Sequence, residues 1–190
     1  MKTNLWILSA ICIVCFFFHN GFPSLASGNS TVTYYTDAQK IIGEVTERGA
    51  GSVVNDLFDQ PKAWDYVLKN IAKGTEVWLK VAVALHPGSD AAPSEMLNIA
   101  VGEALENAPE NVFRIALPDF RLNSICSGPD VDDARYNSYE LSMKATKLRQ
   151  DRISSISAPD LKDVGRKCIQ LLEESKAWTA KFYGIHDKTH

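Results

Sequence analysis

The chain has 190 residues and a formal net charge of −3. That mild acidity, with no basic face, argues against nucleic-acid binding. It argues equally against electrostatic attachment to a membrane surface.

Lys2 opens the chain with a short positive region, and residues 5–18 are apolar apart from Ser9. His19, Asn20, Gly21 and Pro23 interrupt the run before the small-residue site Ser24-Leu25-Ala26. That order reads as a secretory signal peptide over residues 1–26, cleaved on export to a periplasm or the outside of a cell. The apolar run is about 14 residues, short of the ~20 that span a bilayer, so no integral membrane segment is expected after cleavage. What remains is long enough for one domain with a real core. Residues 27–35 read as a flexible lead-in carrying the glycosylation sequon Asn29-Ser30-Thr31.

Residues 36–184 read as a single helical domain. Thr36 and Gln39 have capping-box spacing before Ala38, Ile41, Ile42 and Val45, and Gly49 stops that helix. A short second helix carries Val53, Val54 and Leu57. Pro61 opens a third, with Trp64, Val67, Leu68 and Ile71 on one face and Gly74 at its end. Thr75 caps a fourth, with Trp78, Val81, Ala82 and Leu85 inward, broken by Pro87-Gly88. Pro93 opens a fifth through Leu97, Ala100, Val101, Ala104 and Leu105. Val112, Phe113 and Ala116 continue on a shorter helix that stops before Pro118. A looser segment over 119–129 holds Cys126. Residues 130–152 are expected to be helical, with Tyr136, Tyr139 and Met143 on one stripe. The last helix starts near Pro159, and its seam is read as Leu161, Val164, Cys168, Leu171, Ser175, Trp178 and Phe182. Gly184 ends it, leaving 185–190 as a polar tail.

Almost nothing alternates with period two, so the class is all-α, with about seven or eight helices. Ile42, Ile71 and Leu105 recur roughly 30 residues apart at equivalent places in three helix–turn–helix units. Two arrangements fit: an irregular helical bundle, or a short stack of antiparallel helix pairs whose turns resemble HEAT or armadillo repeats. A longer pattern comprises Trp78-Leu79, Leu85-His86-Pro87-Gly88-Ser89-Asp90, Glu95-Met96-Leu97, residues 104–112, Ile125-Cys126, Lys167-Cys168-Ile169 and Leu172. It resembles a group of small exported bacterial helical proteins of unassigned activity. The resemblance implies export, helicity and the two-cysteine arrangement, and carries no site.

Of four cysteines, Cys12 and Cys15 leave with the leader. Cys126 and Cys168 remain, and in an oxidising compartment they suggest one disulfide, the alternative being two buried thiols. No Cys-x-x-Cys redox pair survives, and Gly49-Ala50-Gly51 lacks the Lys-Ser/Thr of a phosphate loop. His186 and His190 lie four apart but in the tail, and Asp130, Asp132 and Asp133 lack the Gly and Glu of a calcium loop. No metal, cofactor or catalytic residue is assigned. Glu95 and Glu103 sit eight apart on one helix, about 12 Å by rise, so a carboxylate hydrolase would need Glu103 with Asp119 instead. Trp64 and Trp78, on neighbouring helices, fill the core or form an aromatic anchor on a binding surface. The chain is therefore expected to be an exported, non-enzymatic protein-interaction domain such as an inhibitor, toxin-neutralising protein or adaptor, with another protein as its partner. The alternatives are an envelope structural protein without a ligand and a carboxylate-dependent cell-wall hydrolase.

Overall fold

A computed structural model describes residues 37–185. The leader at 1–26, the lead-in at 27–35, Thr36, and His186 and His190 in the tail lie outside the described residues. The chain over 37–185 forms helices α1 (Ala38–Arg48), α2 (Ala50–Phe58), α3 (Pro61–Ile71), α4 (Glu76–Leu85) and α5 (Ala91–Ala104). The short α6 (Pro109–Asn111) runs on into a π-helical turn, Val112–Ala116, and is followed by α7 (Leu122–Ile125), α8 (Tyr139–Ser154) and α9 (Lys162–Phe182). No strand occurs among the described residues, so the fold is all-α.

Helix α1 starts one residue later than the Thr36 cap requires. Asp37 takes that place, its Oδ1 accepting from the Gln39 N–H at 2.9 Å, and its carboxylate also complements the positive helix end. Gly49, at φ +82°, ends α1 and opens α2. Arg48 clamps that joint, donating to Glu44 at 3.0 Å, to Ser52 at 2.9 Å and to Asp56.

Apolar residues cover most of α4, and only Glu76 and Lys80, four apart on one face, are exposed. Leu79, Val81, Ala82 and Leu85 are fully covered, and Val77, Trp78 and Val83 pack partly buried against the same core. Its neighbours are α1, α2, α3 and the π turn, and α1 packs more extensively on α4 than on α2. These contacts join α4 to its own partner α3, to the preceding pair and to the π turn that follows, so the fold is a helical bundle built from packed helix pairs. The repeat positions are unequal too: Ile71 and Leu105 are buried, and Ile42 is half-buried.

Gly74 is needed where two turns meet. It sits at φ +71°, and a Cβ there would lie 2.7 Å from the Ala108 Cβ. Asn107 Nδ2 donates to the Ala72 carbonyl at 2.9 Å and Asn111 Nδ2 to the Gly74 carbonyl at 3.0 Å, fastening the α3–α4 turn to the α5–α6 turn.

Two expectations are corrected in the C-terminal half. Residues 130–138 are not helical, because their side chains bond their own backbone and compete with the helix. Asp130 Oδ1 accepts from the Asp132 N–H at 3.0 Å, Asp133 Oδ1 from the Arg135 N–H at 2.7 Å, and Ser138 Oγ from the Leu141 N–H at 3.2 Å, which starts α8. The buried face of α8 is then Ser142, Ala145, Thr146, Arg149, Gln150 and Ile153 rather than the tyrosine stripe. On α9, Trp178 and Phe182 are 57% and 51% exposed instead of lying on the seam. The inward positions are Gly165, Cys168, Leu172 and Thr179, with Ser175 beside them. Helix α9 packs along α8 with Gly165 against Ile153, and meets the loop with Ser175 against Gly128, so small residues are favoured at these two contacts.

Cys126, at the end of α7, and Cys168, on α9, are joined by a disulfide with Cα atoms 5.2 Å apart, both fully buried. The link closes a separation of 42 residues and pins the longest helix to the loosest segment. Removing a cross-link of that span lowers stability by about 4 kcal/mol in the chain-entropy description. The Cys126→Ala/Cys168→Ala protein should therefore unfold at a clearly lower urea concentration than the wild type; coincident transitions would contradict the assignment.

Candidate functional site

Trp64 is not a surface anchor. It is 2% exposed, its Nε1 donates to the Met96 sulfur at 3.3 Å, and Phe58 meets it edge-on at 6.0 Å. Trp78 is half-buried, edge-on to Tyr66 at 5.9 Å, so the two indoles do not build one face. His86 lies against Phe120, ring centroids 4.3 Å apart. Glu95 and Glu103 open onto different clefts: Glu95 beside Ser94, Asn98 and Ser124, Glu103 beside Asp133 and Arg135. Asp119 lines neither.

The better-formed concavity lies between α3, α5 and the 130–136 loop, with a volume of about 430 Å³. Leu68, Ala72, Met96, Ile99 and Ala100 make its apolar floor. Its ionic groups are Asp65 and Lys69 from α3, Glu103 from α5, and Asp130, Asp133 and Arg135 from the loop. The α3 and α5 residues arrive by helical spacing, because Asp65, Leu68, Lys69 and Ala72 share a face, as do Met96, Ile99, Ala100 and Glu103.

Arg135 is the centre of this site. Its Nη2 reaches Glu103 Oε1 and Asp133 Oδ2, each at 2.6 Å, and its Nε lies 3.0 Å from Asp133 Oδ2. The guanidinium also stands 5.2 Å from the Tyr136 ring centroid. The hydrogen bonds that Arg135 donates to Asp133 and then to Glu103 push its pKa up, and those Asp133 accepts hold its carboxyl below its ordinary range. The Tyr136 phenol is pushed up by burial, then by Glu106 and Glu103. Both oxygens of Glu103 accept from Arg135, so its carboxylate is engaged in the ion pair.

Behind the cleft runs a buried polar layer. Arg149, 2% exposed, donates from Nε to Glu106 at 2.9 Å and from Nη1 to the Ser127 carbonyl at 3.1 Å. The Tyr136 carbonyl accepts from Tyr183 Oη at 2.6 Å and from Ser142 Oγ at 3.0 Å. The 127–136 loop is thus tied to both α8 and α9. Sequence inspection singled out Glu103 and the Asp130–Asp133 acids but not the arginine that joins them, 32 residues from Glu103. The signal available was Arg135 itself, a cation two residues beyond the acids.

A second feature lies at the end of α9. Trp178, Phe182 and Ile185 are 57%, 51% and 47% exposed, with Trp178 stacked on Phe182 at 5.4 Å and Tyr183 edge-on to Phe182 at 5.1 Å. Comparison with known proteins finds no family model, no curated protein and no solved structure that matches the chain.

Two substitutions check these electrostatics. Arg149→Leu strands Glu106 and the Ser127 carbonyl and should cost about 3 kcal/mol, whereas Arg114→Leu, which breaks the exposed pair with Asp160, should leave the urea midpoint unmoved. Asp133 has a depressed pKa, so its contribution is present above the ordinary value of 3.8 and is lost as pH falls through the lowered one. The stability difference between wild type and Asp133→Asn should hold steady at neutral pH and shrink below pH 3.8 in an acid titration. A difference that grows on acidification would contradict the pairing.

Proposed function

We propose that the chain is an exported, non-catalytic protein-interaction domain that acts by occupying a partner, as an inhibitor, toxin-neutralising protein or adaptor does. The observation that carries this reading is the exposed cluster of Trp178, Phe182 and Ile185 on the last turns of α9 and just beyond. Large aromatic side chains held outward on a rigid helix are the usual energetic centre of a protein interface. Close packing of α9 on α8 and the Cys126–Cys168 bond limit the entropy lost when such a surface is covered. The disulfide and the apolar leader at residues 1–26 support an oxidising, exported setting.

Affinity capture with wild-type protein and with Trp178→Ser/Phe182→Ser tests the proposal. Both side chains are exposed, so the variant should keep its helicity and urea midpoint. Wild type should retain one stoichiometric partner from the envelope fraction, and the variant should recover at least about tenfold less. Equal recovery by both proteins, or repeated empty captures by the wild type, would overturn it.

A further inference from the structure

Resting on the interaction reading above, we infer that the cleft between α3, α5 and the 130–136 loop receives an arginine- or lysine-bearing apolar segment of the partner protein. Charge complementarity names the occupant. Four carboxylates and two cations line the cleft, so its walls are net negative over an apolar floor. The chain already seats a guanidinium against the inner pair, where Arg135 bridges Glu103 and Asp133. Asp65 and Asp130 make no ion pair among the described residues, and Lys69 is the only other cation on the wall. A second cation entering beside Arg135 meets those two carboxylates, while its aliphatic stem and apolar neighbours cover Leu68, Met96 and Ile99. The volume of about 430 Å³ suits one or two side chains rather than a folded element. An acidic segment would face Asp65 and Asp130 without compensation, so the cleft also discriminates by charge.

The probe is the blocked peptide acetyl-Leu-Arg-Arg-Leu-amide, with acetyl-Leu-Glu-Glu-Leu-amide as its charge-reversed control. Binding is read from the methyl resonances of isotopically labelled methionines in the folded chain. Met96 lies on the cleft floor and Met143, on α8, lies outside its lining. The arginine peptide should shift the Met96 methyl saturably at millimolar concentration, leave Met143 in place, and bind less well as salt is raised. The glutamate peptide should shift neither. Asp65→Asn/Asp130→Asn, which removes the unpaired carboxylates and leaves the Arg135 pairs intact, should weaken the arginine peptide by about tenfold. Absence of a Met96 shift, or equal binding by the double variant, would overturn the inference. The Trp178→Ser/Phe182→Ser protein separates the two proposals. It should lose partner capture yet keep the Met96 response. Lost capture without any wild-type Met96 response would remove the cleft proposal alone.

Discussion

Cys126 and Cys168 join the least regular part of the chain to its longest helix. Most features of the C-terminal half follow from that bond. Residues 127–138 contain only a single 3₁₀ turn, Ala134–Tyr136, and few apolar side chains of their own. They hold their course because four anchors act at intervals: the disulfide at Cys126, Arg149 on the Ser127 carbonyl, Ser175 against Gly128, and Tyr183 with Ser142 on the Tyr136 carbonyl. Three of these, the disulfide, Ser175 and Tyr183, involve α9. With the loop fixed, Arg135 is delivered to Glu103, and the cleft acquires its third wall.

Helix α9 has two unlike faces. On its inner face α9 sets Gly165 against Ile153 of α8 and Ser175 and Thr179 against Gly128 of the loop, while Trp178 is outside. Helix α9 thus carries both the cross-link to the loop that walls the acidic cleft and, at its end, the apolar patch.

The N-terminal helices were legible in the sequence because their signals are local. Gly49, Pro61, Gly74 and Pro87 mark boundaries through backbone preferences, and Val53, Leu57, Val67 and Ile71 repeat with helical spacing. The disulfide was legible from the two cysteines that lie outside the apolar N-terminal run. Legibility failed where polar groups decide. Residues 130–138 carry helix-compatible composition, but Asp130, Asp133 and Ser138 satisfy the backbone in other ways. The buried face of α8 departs from the apolar pattern because Ser142 and Thr146 satisfy their hydroxyls on the nearby Tyr136 and Ser142 carbonyls, and Arg149 reaches the distant Glu106. Trp178 and Phe182 fit a hydrophobic seam by spacing, yet both stand exposed. The Arg135–Glu103–Asp133 fork is a tertiary event across 32 residues, so its members were visible singly and not as a unit.

The disulfide, acting through α9, holds the 127–138 loop in place. Hydrogen exchange in the wild type and in the Cys126→Ala/Cys168→Ala protein, at a denaturant concentration where both remain folded, tests it directly. Amides of 127–138 and of α9 should lose protection well beyond any change in α1 to α4. Equal protection of the loop in both proteins, or a loss spread evenly through all helices, would contradict it.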